Sequence, residues 1–352
     1  MDKNQATGLI LFAAVILVYS FFFASAPEVP ETQEVVTAQE SQEKTNSDTA
    51  SQVLSVPDSL VDAQRMSSFG ELAPLTLGEE KEILLENDVL KITVSSKGGQ
   101  IKEVILKEYK SWKGDPVVLV DSAHTQMNFS FDTRLGAKEL DAFYFTPTLK
   151  NEEVNGVTQQ VLTLKSGNEA GQILLKYSLA AGSYEVHKTF EIERFQGIIT
   201  GKEVKINWED QIKSQEKDLA ESRRKTQVNY YLADGSYDYL SASDDPEEAE
   251  VAGSVKWIGF SQRFFTSGII ADSLFQEVKV SQSTPEDSAL VRTMKASLSV
   301  PLLEGKAGLT FYFGPDQYKT LKSITPGFEE NVDMGKQIFC CSFIRILRKV
   351  FR

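Results

Sequence analysis

Residues 89–101 read Val-Leu-Lys-Ile-Thr-Val-Ser-Ser-Lys-Gly-Gly-Gln-Ile. Leu90, Ile92 and Val94 alternate with Lys91, Thr93 and Ser95. A period of two puts the two sets on opposite faces of a half-buried strand. Gly98-Gly99 then turns the chain into a second apolar run, Ile101 to Leu106. The same grammar recurs outward from this hairpin. Met127, Phe129 and Phe131 alternate with Asn128 and Ser130, and Leu309, Phe311 and Phe313 alternate ahead of Gly314-Pro315. Leu175, Tyr177 and Leu179 lead into the turn Ala181-Gly182-Ser183, and Tyr184, Val186, Phe190 and Ile192 follow it. Many short strands with turn punctuation predict an all-β fold, an extended antiparallel β-sandwich over residues 73–325. Two stretches break the pattern. Asp210 to Lys225 carries nine charges in sixteen residues, no Gly or Pro, and i,i+4 pairs Lys217–Glu221 and Glu221–Lys225, which predict a short surface helix. Asp244 to Glu250, acidic around Pro246, predicts an exposed loop; it lacks the spacing of an EF-hand calcium loop.

The chain has 352 residues, 37 Lys+Arg against 50 Asp+Glu, and a net charge of −13. This acidic balance argues against nucleic acid as a partner, since phosphate binding needs a positive surface. No GxGxxG or Walker-type loop occurs to cradle a nucleotide. The two histidines, His124 and His187, have no HExxH spacing, and the two cysteines are the adjacent pair Cys340-Cys341. Neighbouring Cα atoms stand about 3.8 Å apart, too close for a relaxed disulfide.

Gly8 to Ala26 is an uncharged apolar run of 19 residues. As a helix it spans roughly 28 Å, close to the hydrocarbon thickness of a bilayer. Lys3 precedes the run and the next positive charge is Lys44, so the positive-inside rule puts residues 1–7 in the cytoplasm and the main domain outside. Ala24-Ser25-Ala26 has the form of a signal-peptidase site. The run is longer than a signal h-region, and Pro27 would follow the cut, so an uncleaved transmembrane helix over residues 8–26 is expected. Residues 27–72, acidic and rich in Gln, Ser and Thr, read as a disordered linker. Residues 326–352 read as an interfacial tail: Phe339, Phe343 and Leu347 fall at helical spacing, and Arg345, Arg348, Lys349 and Arg352 supply the charge that favours a lipid bilayer.

Candidate chemistry is sparse. His187 lies on the polar side of its strand with Glu185, Thr189 and Glu191, an arrangement compatible with acid–base work but equally with a solvated face. His124 precedes a strand. Ser214 to Lys217 matches S-x-x-K over four residues, without the accompanying motifs of serine acyl enzymes. Asn128-Phe129-Ser130 is a glycosylation sequon centred on a core position. The sequence therefore assigns no catalytic, cofactor-binding or metal residues, and it predicts a protein that is not an enzyme and holds no cofactor.

Four segments together resemble the YidC membrane protein insertase family, in the form with a large periplasmic domain. They are the opening Met1-Asp2-Lys3-Asn4 before the apolar run; the pair of segments Glu86 to Ile92 and Ser96 to Ile101; Lys256-Trp257-Ile258-Gly259-Phe260 with Phe264-Phe265; and Phe311-Tyr312-Phe313-Gly314-Pro315 with Tyr318, Leu321 and Lys322. The resemblance implies a mutarotase-like supersandwich in the periplasm, an inner-membrane location, and the insertion and folding of nascent inner-membrane proteins alone or beside Sec translocon components. In the family, insertion resides in five further membrane helices. After Val332-Asp333-Met334-Gly335 this sequence departs from the family pattern, reading Lys336 to Cys341 and on to Arg352. The expectation is a truncated or frame-shifted chain carrying only the anchor and the periplasmic accessory part. The competing expectation is a membrane-anchored carbohydrate-binding or mutarotase-like protein, which requires a concave sheet face with convergent His, Glu and Asp side chains.

Overall fold

The computed structural model describes residues 58–332 except residue 196. The chain divides into two units, residues 1–55 and 56–352, and every described residue falls in the second. The membrane run Gly8–Ala26, most of the linker, the cysteine pair and the basic tail lie outside the described residues. Among the described residues no helix is long and apolar enough to cross a membrane.

The domain is all-β and antiparallel, as the alternating segments predict. A four-stranded meander opens it: β1 (Glu82–Glu86), β2 (Leu90–Ser95), β3 (Ile101–Lys110) and β4 (Pro116–Asp121). Leu90, Ile92 and Val94 are buried, so the face chosen by the alternation is the core face. Gly98 and Gly99 join β2 to β3 with φ of +69° and +58°. A side chain at Gly98 would stand 2.7 Å from the Asp141 Cα, and one at Gly99 would collide with Leu175. The turn thus needs glycine both for its left-handed backbone and for close packing.

The remaining strands form one continuous hydrogen-bonded system. In chain order they are β5 (Thr125–Thr133), β6 (Gly136–Glu139), β7 (Thr146–Val154), β8 (Val157–Gly167), β9 (Gln172–Ala180), β10 (Glu185–Glu193) and β11 (Glu203–Lys213). There follow β12 (Gln227–Leu232), β13 (Tyr237–Tyr239), β14 (Glu247–Glu250), β15 (Val255–Ser261), β16 (Phe265–Ser283), β17 (Leu290–Pro301) and β18 (Lys306–Pro315). The main path runs β6-β5-β11-β17-β16-β18-β10-β9-β8-β7.

Strand β16 splices two halves of this system. Residues 265–271 pair with β18 and, over 266–270, with β15; residues 279–283 pair with β17 and, over 279–282, with β14. The register shifts between Gln276 and Lys279, and Glu277 sits at φ +51°. A bulge of this kind adds twist and lets one strand serve two differently oriented ladders. The first meander lies over the β8–β10 half. Asn87 Nδ2 donates to the Ala180 and Ser183 carbonyls at 2.7 and 2.8 Å, and the Tyr177 hydroxyl donates to the Gly99 carbonyl. Leu90, Ile92, Leu164, Leu175 and Trp208 join one apolar core.

Two stretches within the domain differ from the sequence reading. The helix expected over 210–225 is confined to α2 (Leu219–Lys225), the second helix after α1 (Asp58–Phe69). Residues 210–213 continue β11, because Trp208, Asp210 and Ile212 all face the core in an unbroken period of two. Pairing with β17 outweighs helical propensity there. Asp218 caps α2, its Oδ1 accepting the Glu221 N–H at 3.0 Å. Glu247–Glu250, within the expected acidic loop, is strand β14. Two ends of the folded body also lie in stretches read as linker and tail. Asp58–Phe69 is helical, and Phe328 is buried, its ring edge-on to Trp257 at 4.9 Å and to Tyr312 at 5.4 Å.

Candidate functional site: a polar groove

The pairing register builds a site that no single segment contains. Across β5, β11, β17, β16 and β14, two rows of outward side chains stand side by side. One row is Gln126, Glu209, Lys295, Ser281 and Glu248; the next is Asn128, Asn207, Ser297, Lys279 and Glu250. Residues directly opposite on adjacent strands have Cβ atoms about 4.5–5.5 Å apart, so each row is a continuous ladder of neighbouring polar side chains. The two rows line an open groove of about 610 Å³.

Six of these ten side chains are paired within the groove. Lys295 Nζ lies 2.9 Å from Glu209 Oε2, and Lys279 Nζ donates to Glu250 Oε1 at 2.5 Å. Ser297 Oγ donates to Asn207 Oδ1 at 2.8 Å. The hydrogen bond from Lys279, with its charge, holds the Glu250 carboxyl below its ordinary range, and Glu250 in turn raises Lys279. Beneath the rows, the inward partners are apolar. Trp208, fully buried, stacks on Phe260 at 3.8 Å between centroids and 22° between planes, which gives the groove a rigid floor. Carboxylates, ammoniums, amides and hydroxyls alternate at β spacing. Such a surface offers hydrogen-bond donors and acceptors side by side, about 4.8 Å apart from strand to strand.

The residues singled out from the sequence fall elsewhere, with one exception. His187 is exposed on β10, its Nδ1 2.9 Å from Thr310 Oγ1. His124 Nδ1 lies 3.2 Å from Asp121 Oδ2. Neither histidine lines the groove, so the convergent His, Glu and Asp set of the carbohydrate reading does not form there. Ser214 Oγ donates to the Glu216 carbonyl at 2.9 Å and engages no base. Asn128 does line the groove, and Phe129 behind it is buried as expected.

Sequence reasoning missed three buried ionisable groups, Lys188, Asp210 and Arg292. Lys188 occupies the core position between Val186 and Phe190 and is 2% exposed. Its Nζ lies 3.6 Å from the centroid of Phe129 and 5.0 Å from that of Tyr177, and burial pushes its pKa down to about 7. Asp210 is buried where a helix face was expected. Thr125 Oγ1 donates to its Oδ1 at 2.8 Å, Oδ2 has no partner, and burial raises the carboxyl to about 7. The signal for Lys188 was present, since strict alternation along β10 assigns it inward; its chemistry argued the other way.

The described residues form an antiparallel all-β domain with a charged, hydrogen-bonding groove. Its family follows from comparison: the chain belongs to the YidC periplasmic domain family, whose model matches residues 82–346. The membrane protein insertase YidC of Amoebophilus asiaticus is 30% identical over 95% of this chain and 56% of its own length. That of Cytophaga hutchinsonii is 29% identical over the same shares. The chain therefore spans little more than half the length of these relatives. Among solved structures, a putative mutarotase from Salmonella typhimurium aligns with a TM-score of 0.38 at 9% identity, covering 68% of this chain and 92% of its own. A galactose mutarotase-like protein from Lactobacillus casei gives 0.39 at 9%, covering 66% and 100%.

Proposed function

We propose that the chain is the anchored periplasmic part of an inner-membrane insertase of the YidC type, and that it works as a non-enzymatic docking module. The family match supports the parent function. The observation that carries the docking role is the pair of polar rows from Gln126 to Glu248 and from Asn128 to Glu250. Extended segments of nascent inner-membrane proteins, or a loop of a Sec translocon component, present backbone N–H and C=O groups that the amides, hydroxyls and charges of these rows can hydrogen-bond. The fixed charges of Glu209, Lys295, Glu250 and Lys279 make recognition directional and slow wrong partners. Insertion itself needs a place where charge is tolerated within the bilayer, at a cost otherwise of at least about 2.5–3.5 kcal/mol per group. The uncharged run Gly8–Ala26 contains no Arg, Lys, Asp, Glu or His to supply it.

The test is site-specific photocrosslinking of the full chain in envelope membranes. A photoreactive side chain at Asn128 or Ser297 is expected to capture a Sec component or a nascent membrane protein, and one at exposed Glu153 on β7 is not. Equal adducts from both positions, or none from the groove, would remove the docking role.

A further inference from the structure

A second groove lies at the end of the domain where the described chain finishes. It encloses about 570 Å³ and has Tyr109, Trp112, Phe264, Phe265 and Pro315 among its walls, with Val332 on its rim. Two turns project aromatic rings beside it. The β3–β4 turn carries Trp112, 54% exposed, and the β15–β16 turn carries Phe264, 50% exposed. Neither turn is loose. The Trp112 N–H donates to the Gln215 carbonyl at 3.0 Å, and the Phe264 carbonyl accepts the Asp316 N–H at 2.8 Å. Leaving large rings in water on a fixed backbone costs hydration free energy with no gain in packing, unless another surface covers them.

The charges around the rings indicate which surface. Lys113 Nζ lies 5.5 Å from the Trp112 ring, and Arg263 Cζ lies 4.9 Å from the Phe264 ring. Lys110, Lys217 and Arg263 line the groove against Glu216 and Asp316. Both carboxylates are occupied inward: Glu216 Oε2 accepts from Ser222 Oγ at 3.0 Å, and Asp316 Oδ1 accepts from Thr266 Oγ1 at 2.6 Å. Asp115 is the acidic residue in the Trp112 turn itself. Cations therefore lead locally on a chain whose overall charge is −13. The chain's own basic tail, with Arg345, Arg348, Lys349 and Arg352, is a poor electrostatic match for such a groove. Aromatic rings flanked by Lys and Arg suit the headgroup layer of an anionic membrane.

We propose that this end of the domain docks on an anionic lipid bilayer, with Trp112 and Phe264 entering the headgroup layer and Lys110, Lys113 and Arg263 meeting lipid phosphates. The described residues end at Val332, on the rim of this groove, and the sequence beyond it carries Arg345, Arg348, Lys349 and Arg352. The inference rests on the membrane-anchored reading of the chain.

The experiment exploits the tryptophans. Trp208 and Trp257 are buried, so Trp112 is the exposed one of three. The full chain is reconstituted with phosphatidylcholine vesicles, with or without phosphatidylglycerol, carrying a spin label at the headgroup. Flotation reads anchoring, and quenching reads docking. Expected is quenching of part of the emission in phosphatidylglycerol vesicles, abolished by Trp112→Phe and at least halved by Lys110→Glu with Arg263→Glu or by high salt. Emission from Trp208 and Trp257 and an unchanged Tm verify that the variants fold. Flotation without quenching, or equal quenching in both lipids, would overturn the proposal and leave the anchor standing. Trp112 shielded from aqueous iodide yet unquenched by labelled lipid would assign the surface to a protein partner instead. Failure to float, with Trp112 unquenched, would overturn anchor and docking together.

Discussion

The ammonium of Lys188 stands 3.6 Å from the centre of the Phe129 ring, inside a β-sandwich core and 2% exposed. Phe129 belongs to β5 and Lys188 to β10, so one side chain ties two distant strands through a cation–π contact. Such a contact recovers about 2 kcal/mol or more when desolvated, less than the cost of burying a charge. The pKa of about 7 is the consequence.

Lys188→Met is expected to raise stability at pH 7 by on the order of 3 kcal/mol, read from urea denaturation. The sign follows from proton counting. Between pH 7 and 10.5 the unfolded chain binds a proton on Lys188 that the folded chain releases, so stability rises with pH across that window. The advantage of Met should therefore shrink toward pH 10.5. An advantage that stays constant with pH would mean that Lys188 is neutral or charged alike in both states.

Asp210 has the opposite sign. Its carboxyl is raised from 3.8 to about 7, so the folded chain holds a proton that the unfolded chain loses between those values. Stability from this group is full below pH 3.8 and falls as pH rises through 7. Asp210→Asn should be close to neutral at pH 4 and stabilising by a few kcal/mol at pH 8 in parallel thermal melts.

Gly327→Ala should be strongly destabilising, by about 2–4 kcal/mol. Gly327 has φ +76°, and an added Cβ would strike the Tyr231 ring, which stacks on Trp257 at 5.7 Å and 6°. A circular-dichroism melt of the variant measures the loss. A Tm within one degree of wild type would show that the Phe328 segment is not held against the sheet.

Arg292→Ala should cost about 2–4 kcal/mol. This buried guanidinium donates through Nη2 to the Arg223 and Ala242 carbonyls at 2.9 and 3.2 Å, and removing it leaves both acceptors without that donor. Arg292→Lys should recover only part of this, because both bonds come from Nη2 and the shorter lysine side chain brings its ammonium one bond short of that position. Full recovery by Lys in chemical denaturation would contradict the assignment.

In the groove the expected effect is on binding. Glu209 and Lys295 form a half-exposed ion pair, and Glu209→Gln should change stability by less than about 1 kcal/mol. The same change, combined with Lys279→Ala, should weaken photocrosslinking from Ser297 several-fold. A large Tm loss with undiminished crosslinking would mark the rows as structural.

What the sequence alone determined is what a local window encodes. Leu90 to Val94, Phe129 and Phe131, and Leu309 to Phe313 announce strands and their buried faces, because a strand's side chains alternate regardless of its neighbours. The family was also legible, because its residues recur in order along the chain. Register, sheet membership and solvation were decided only in three dimensions. Gln126 and Lys295 share one row because β5, β11 and β17 pair in a particular register, and no short segment contains that information. Asp210 to Lys213 has a helix-like composition yet is strand, since the open edge of β17 supplied hydrogen bonds that outweighed local preference. Lys188 faces inward because the alternation of β10 leaves it no other side; Tyr177 is its hairpin partner on β9, and only the fold brings the Phe129 ring from the remote strand β5 over its ammonium.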